Sequence, residues 1–325
     1  MSYRIAQYLF IIIVLLTLNF FLPRMMPGDP ISYLVGDPGA DAPLLMTEEM
    51  RQNLLRYYEL DRPLGEQFQR YLSNLLRGEL GWSISQNAPV AQVILGRLRW
   101  SLLLGGCAAA IYVPLGIVLG AVAAWHSTTP AGPAILGSVF FLGSWPSYFL
   151  GMLFIVFLSL KLGLFPIGGA TSTLSARSGV LWSLVDVIHH GALPCATLVL
   201  SNLPGIVLLV HNSTMGLLGH DFVRAAKAKG LRQRRVLIKH VLPNAMLPLV
   251  TMIAMRLGFL VAGSVTVEVV FAYPGMGALI TTAGIARDYP LLQGIFLIIM
   301  LLIVGFNLLA DLLYTRLDPR VRATL

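Results

Sequence analysis

The most restrictive feature of the sequence is a series of long apolar runs that contain almost no charge. A bilayer core about 30 Å thick requires roughly 20 such residues per helix. Only 12% of the 325 residues are charged, against roughly 25% in soluble domains. Six windows of the required length occur: Ile5–Leu22, Trp100–Trp125, Ala134–Leu160, Ala192–His211, Leu247–Val270 and Leu291–Tyr314. The pattern excludes an ordinary soluble protein and predicts an all-α integral membrane protein with six transmembrane helices.

The basic residues predict which helix ends lie in the cytoplasm. The segment between the fourth and fifth windows carries seven basic residues against Asp221 alone: Arg224, Lys227, Lys229, Arg232, Arg234, Arg235 and Lys239. Short basic loops remain cytoplasmic, and the net charge of +8 is therefore explained by topology rather than by nucleic acid. With six spans, both termini are cytoplasmic. The first window is expected to be an uncleaved anchor, because no small-x-small cleavage site follows it.

These assignments predict the organisation of the chain. A small extracytoplasmic helical insertion separates helices 1 and 2. Helices 2–6 form the transmembrane core, and a cytoplasmic loop lies between the fourth and fifth of the six helices. The expected segments are 1–22 (cytoplasmic N-terminus and helix 1), 23–99 (extracytoplasmic domain), 100–314 (helices 2–6, with the loop 213–246) and 315–325 (cytoplasmic tail).

Two amphipathic helices are predicted in the extracytoplasmic domain. Over residues 66–77 the apolar side chains recur at i, i+3, i+4, i+7 and i+8, which is the pattern of a half-buried helix. They are Phe68, Tyr71, Leu72, Leu75 and Leu76. Thr47 followed by Glu48 and Glu49 indicates the start of an earlier helix.

The order of residue types in the basic loop indicates more than topology. Ala225 and Ala226 give a short helix a smooth face that can lie in a groove on another protein. Gly230 is suited to end that helix in a left-handed turn. A second helix then runs to Pro243, which lies where a helix start needs no N–H donor. A helix, turn and helix between two spans predicts a mechanical connection, whereas the simplest alternative is a bare connector that only sets topology.

This loop resembles the EAA loop of ABC importer permeases, whose pattern is Glu-Ala-Ala, three residues, Gly, nine residues and Ile-x-Leu-Pro. Arg224 stands in place of the Glu and His240 in place of the Ile, and an Arg at the first position is similar to the peptide and nickel branch of the family. The residues that the resemblance identifies as coupling to the ATPases are Arg224, Ala225, Ala226, Gly230, Leu242 and Pro243.

Further motifs resemble the dipeptide, oligopeptide and nickel permeases and occur in the same order. They are Met26–Pro30, Leu60–Leu64, Leu76–Gly81, Val270–Gly277 and Asp311–Arg320. The resemblance implies a multi-pass subunit of the bacterial inner membrane that is not itself an enzyme. Its implied partners are a second homologous permease, an extracytoplasmic substrate-binding protein and two cytoplasmic ATPase subunits that bind ATP and Mg.

The cargo and the energy source leave alternatives open. Peptide is the expected cargo, while His189 and His190 keep nickel or a metallophore open as an alternative cargo. No phosphate-binding loop or metal-hydrolase motif occurs, so no catalytic residue, metal site or cofactor is expected in this chain. Two alternatives belong to other classes of protein. An ion-coupled carrier would show internal repeats and several buried carboxylates, which the sequence does not show. An intramembrane enzyme would need paired catalytic groups inside the bilayer, and the predicted spans contain no such pair.

Two features inside the spans have more than one interpretation. Arg256 lies nine residues into the fifth window, roughly 14 Å from its start at about 1.5 Å per residue. A charge there should face the bundle interior, either paired with a carboxylate or backbone carbonyls, or lining the substrate path. Gly116, Gly120 and Ala124 share one face of the second window. They predict a close helix contact, within the chain or with a partner.

Overall fold

A computed structural model of the chain describes residues 2–25, 48–57, 60–172, 179–246, 249, 252, 253, 256 and 263–317. Before the first long inner helix it contains α1 (Ser2–Arg24), α2 (Glu48–Tyr57), α3 (Leu64–Leu76) and two short strands, β1 (Trp82–Ser83) and β2 (Ala88–Pro89). The strands pair antiparallel, with Trp82 opposite Pro89. This hairpin is a small departure from the predicted all-α fold.

The remaining described elements are helices. They are α4 (Val90–Trp125), α5 (Ala131–Gly143), α6 (Ser147–Phe154), α7 (Val180–Leu218), α8 (Asp221–Ala228), α9 (Gln233–Val236), α10 (Leu242–Ala245), α11 (Val265–Val270), α12 (Met276–Ile285) and α13 (Tyr289–Leu317). Wider π-helical turns extend α6 over Ile155–Lys161 and α9 over Leu237–Val241.

Three of the described helices, α4, α7 and α13, are long and apolar enough to cross a membrane. Helices α4 and α7 begin well before their predicted windows, at Val90 and Val180. The first turns of α4 contain Arg97 and Arg99, so a search for uncharged windows does not include them, although the helix runs through them. Half of the predicted fifth span lies outside the described residues, and the count of six spans stays a prediction.

The third predicted window is not one straight helix. Helices α5 and α6 with its π-helical extension are bent by 83° relative to each other at residues 144–146. Proline disfavours the helical conformation of the residue before it, and Pro146 itself has an extended backbone, with φ −56° and ψ 140°. The predicted span Ala134–Leu160 is therefore a bent pair of helices rather than one straight helix.

The chain divides into two compact units, Met1–Arg99 with Ala278–Leu301, and Trp100–Gly277 with Leu302–Leu325. In the first unit the predicted helix over 66–77 is confirmed as α3, and α2 confirms the earlier one, although Thr47 lies outside the described residues. Helix α3 packs Phe68 against the fully buried Phe20 of α1, with ring centroids 5.1 Å apart. Leu76 is 91% exposed, so it does not belong to the packed face.

The first unit also contains a buried carboxylate that joins the hairpin to α13. Asp288 accepts hydrogen bonds from the hydroxyls of Ser83 and Ser85 at 2.7 and 2.8 Å and from the Ser85 backbone N–H at 2.8 Å. Its other oxygen accepts from the backbone N–H of Leu291 at 3.1 Å and so caps the first turn of α13. One side chain therefore positions both elements.

In the second unit the glycine face of α4 packs against α7 of the same chain. A Cβ added at Gly116 would meet Ile206, and one at Gly120 would lie 2.6 Å from the backbone oxygen of Val207. Ala124 is fully buried. The predicted close contact is confirmed, and the neighbour is intramolecular.

We expect Gly120→Ala to lower the melting temperature of the purified protein, because the added methyl group would overlap the Val207 carbonyl and force the two helices apart. Overpacking of this kind costs about 1–3 kcal/mol. Gly106→Ala in the same helix is the matched control, since a Cβ there meets nothing within 4 Å. It should leave the melting temperature unchanged or raise it slightly through helix propensity. Equal melting temperatures for the two variants would contradict the packing described.

Candidate functional site

The basic segment after α7 folds as the predicted helix, turn and helix, here called the basic hairpin (Asp221–Ala245). Helix α8 ends where the N–H of Gly230 bonds the carbonyl of Lys227, and Gly230 has a φ of +72°. A Cβ at Gly230 would meet no atom within 4 Å, so the backbone conformation alone favours glycine. Pro243 is the second residue of α10, which follows the π-helical turn Leu237–Val241 without a break. It therefore lies inside a continuous helical run and not at the free helix start that the sequence suggested, and its missing N–H falls beside the wider turn.

The two adjacent alanines of α8 point in different directions. Ala226 is 3% exposed and packs with Val223, Val236 and Val241 in the interior of the basic hairpin. Ala225 is exposed. The smooth surface available to another protein therefore includes Ala225 but not Ala226, whose small size instead lets the two arms of the hairpin approach each other.

The interior of the basic hairpin continues into the ends of two long helices. Trp125 at the end of α4 and Leu217 and Leu218 at the end of α7 pack against the same apolar cluster. The indole N–H of Trp125 also donates to Oε1 of Gln233 at 3.3 Å, and the Lys227 ammonium lies 5.3 Å from the indole ring. The basic hairpin is thus attached to α4 and α7 by side-chain packing as well as by the chain.

The outward side of α8 is flat and basic. Arg224 and Ala225 are exposed together with Ala228, and Phe222 is 40% exposed. The ion pair between Arg224 and Asp221 spans 3.7 Å between largely exposed side chains, so it contributes little to stability. Sequence reasoning did not identify Phe222 or Ala228, although their spacing of three residues from Ala225 would have placed them near it on a helix.

Arg256 lines a cavity of about 250 Å³ in the second unit. Its Nη1 donates to Oδ1 of Asn202 on α7 at 3.1 Å, and its Nη2 lies over Gly205, where a side chain would collide with it. Tyr112 and Ser264 are also in the wall of the cavity. Within the described residues the guanidinium makes no ion pair. A positive charge in a polar cavity whose partner is a neutral amide can still attract an anionic group.

A buried carboxylate lies directly behind this cavity. Glu268 is fully buried, and its Oε1 accepts from the hydroxyls of Ser264 and Ser101, each at 2.6 Å. Its Oε2 accepts from the backbone N–H of Gly277 at 2.7 Å. The network holds the Val270–Gly277 motif in place and orients Ser264 in the cavity wall. The sequence contained only a weak sign of it, a carboxylate near the end of an apolar window.

His189 and His190 are both engaged by neighbouring groups of the fold. His189 Nε2 lies 2.8 Å from the carbonyl oxygen of Leu164, and His190 Nδ1 lies 3.2 Å from the carboxylate of Asp186. Across the described ranges no group of three or more His, Cys, Asp or Glu side chains could hold a metal ion. Of the other motifs, Met26–Pro30 and residues 318–320 lie outside the described residues.

Comparison with known sequences gives two kinds of match. Residues 116–323 match the family model of the binding-protein-dependent transport system inner membrane component. The chain is also similar to the dipeptide transport system permease protein DppB of Escherichia coli strain K12, with 34% identity over 96% of this chain and 95% of the relative. It is 32% identical to the oligopeptide transport system permease protein AppB of Bacillus subtilis strain 168, over 98% and 99% of the two chains.

Among solved structures the chain is similar to one from the MetNI methionine ABC transporter in an inward-facing conformation. The TM-score is 0.53 at 17% identity, and the match covers 70% of this chain and 96% of the other. At that identity the likeness concerns the fold alone.

Proposed function

The chain belongs to the family of binding-protein-dependent transport system inner membrane components, and on that premise we propose that it imports di- or oligopeptides and transmits ATPase motion through the basic hairpin. The family and the full-length relatives make it a permease subunit of an ABC importer in the bacterial inner membrane. Peptide cargo is supported by relatives from two bacteria whose names specify dipeptide and oligopeptide transport.

The observation that carries the coupling proposal is the cluster joining the basic hairpin to α4 and α7. A partner that moves α8 also moves Val223 and Ala226, which pack with Trp125 and Leu217. Because protein interiors are densely packed, such a displacement is passed on rather than absorbed. The proposed docking face consists of Arg224, Ala225 and Ala228 with Phe222 as an apolar anchor, while Gly230, Leu242 and Pro243 shape the hairpin that presents it.

The transport complex that we propose contains four kinds of component. This chain and a second homologous permease form the membrane path, and two cytoplasmic ATPases bind ATP and Mg and supply the work. An extracytoplasmic binding protein delivers the cargo. In this arrangement Arg256 contributes a fixed positive charge to the path and pairs with an anionic group of the cargo, such as the C-terminal carboxylate of a peptide.

Substitution at Ala225 tests the docking face. Ala225→Glu places a charge on the flat exposed surface, so the fold should survive while copurification of the ATPases falls about tenfold or more, the effect of losing roughly 1.4 kcal/mol of binding. Ala226→Glu buries the charge inside the basic hairpin and should instead make the hairpin protease-sensitive.

Ala131→Glu is the control for this pair, since Ala131 is an exposed alanine in the first turn of α5, outside the basic hairpin. It should change neither copurification nor protease sensitivity. Normal ATPase binding and transport by Ala225→Glu would show that the partner docks elsewhere.

Arg256→Gln tests the role of the cavity in the path. The variant keeps an amide that can bond Asn202 but loses the charge, so assembly should be normal. Uptake of a dipeptide into proteoliposomes should fall about tenfold, because the variant loses the binding free energy of one charge-assisted hydrogen bond. Uptake of the C-terminally amidated analogue should change little, since it has no carboxylate to pair with Arg256. Arg77→Gln removes an exposed charge elsewhere and is the control. Equal losses for both cargoes, or a failure of assembly, would assign Arg256 a structural role.

Single cysteines at Ser73, Gly179 and Gln233 test the proposed topology. All three positions are exposed, and Cys107 and Cys195 are first replaced by serine. In intact cells a membrane-impermeant thiol reagent should label positions 73 and 179 and should reach position 233 only after permeabilisation. Labelling of position 233 from outside would reverse the orientation.

A further inference from the structure

A second polar cavity lies in the first unit, at the end of α1. Its volume is about 340 Å³, and its wall includes Arg24, Arg70, Tyr71, Asn74, Glu79 and Tyr289. That volume is at the lower end for small-molecule sites, which occupy roughly 300–1,000 Å³. All of these residues belong to one compact unit, and none of them is used by the transport function proposed above.

The guanidinium of Arg24 is held in the cavity wall by neutral groups. Its Nε and Nη2 donate to Oε1 of Gln67 at 3.1 and 2.9 Å, and its Nη1 donates to the backbone oxygen of Phe20 at 3.0 Å. The charge also lies 3.7 Å from the centre of the Phe20 ring. An arginine has five N–H donors, so two remain without an acceptor among the described residues. The side chain is fixed in place, and no carboxylate of the described part of the chain forms an ion pair with it.

Tyr71 supplies a second donor to the same cavity. Its hydroxyl oxygen accepts from Nδ2 of the buried Asn19 at 3.1 Å, which leaves the hydroxyl proton available to another acceptor. Burial raises the pKa of Tyr71, partly opposed by the Asn19 hydrogen bond and the Arg24 charge, so the phenol stays protonated at neutral pH. A rigid guanidinium and a nearby O–H donor form a suitable receptor for an oxyanion.

The surroundings of the cavity indicate where that oxyanion comes from. From Phe10 onward, α1 presents exposed apolar side chains on the side of the helix that also carries Arg24, including Phe10, Ile13 and Phe21. Trp82, Tyr71 and Tyr289 lie in the cavity wall, and aromatic side chains of this kind are enriched at the level of lipid head groups. An acyl chain lying along α1 would therefore bring its own phosphate to Arg24.

We propose that this cavity binds the phosphodiester of an anionic phospholipid such as phosphatidylglycerol, with the phosphate at Arg24 and Tyr71 and the acyl chains along α1. The charge of Arg24 favours a negatively charged head group, and Glu79 is the one carboxylate among the wall residues that the structure describes. The shared chemistry is that of a phosphate, and inorganic phosphate is the competing source. Basic pockets beside membrane helices bind anionic head groups in this manner.

The test is equilibrium binding of radiolabelled phosphatidylglycerol to the purified full-length protein in detergent. Arg24→Gln should weaken binding about fivefold or more, the contribution of one basic residue to an anionic lipid. Arg24→Lys should recover part of the loss, because the charge remains without the fork. Arg77→Gln, which removes an exposed charge that is not part of the cavity wall, is the matched control and should bind as the wild type does. Glu79→Gln should bind equally or more tightly.

Several results would overturn the proposal. Unchanged lipid binding by Arg24→Gln would show that the lipid does not bind at Arg24, and displacement of the lipid by an excess of inorganic phosphate would identify a free anion as the ligand. Weakening by Glu79→Gln would indicate a head group that carries an ammonium. If Arg24→Gln binds lipid normally but captures less of the extracytoplasmic binding protein, the ligand of Arg24 is an acidic side chain of that partner and not a lipid. If Arg24→Gln fails to fold in size-exclusion chromatography, Tyr71→Phe decides, and unchanged binding by it overturns the proposal.

Discussion

The fold depends on the requirement that backbone N–H and C=O groups in apolar surroundings find partners within the protein. Long helices satisfy it internally, so the places that need explanation are those where the chain leaves a helix. At two of these breaks a fully buried carboxylate supplies the missing acceptor. Glu268 accepts from the Gly277 N–H in the first turn of α12, and Asp288 accepts from the Leu291 N–H in the first turn of α13. Serine hydroxyls complete both networks, so neither carboxylate is buried without hydrogen-bond donors.

The features that could be predicted from the sequence are set by residues that lie close together in the chain. Helix α3 followed from the spacing of Phe68, Tyr71 and Leu75, and the turn at Gly230 followed from the conformational freedom of one residue. Both depend on a few neighbouring positions. Pro146 breaks a window whose apolar composition continues on both sides, and hydropathy does not specify the 83° angle between the two helices. The helix starts at Val90 and Val180 were missed because a helix does not end where the membrane does.

What could not be predicted depends on pairs of residues far apart in the chain. The contact of Arg256 with Asn202 joins two positions 54 residues apart, and nothing in either local pattern specifies the other. The same reason explains Ala225 and Ala226. A helical pattern identifies a smooth face, but only the position of Val236 and Val241 decides which alanine is inside. The glycine face of α4 was recognised correctly, while its neighbour was settled only by the packing of Ile206 and Val207.

Helix α7 has a consequence that follows from its length. Asn202, which holds Arg256, and Leu217, which packs on the basic hairpin, lie on one uninterrupted helix. Fifteen residues separate them, roughly 22 Å at about 1.5 Å per residue. Pro204 lies just after Asn202 and removes one backbone bond, so the helix has a soft point beside the cavity and a stiff shaft beyond it. A change in the bend angle at Pro204 would therefore displace Leu217 and the basic hairpin farther than it displaces Asn202, because displacement grows with distance from the bend.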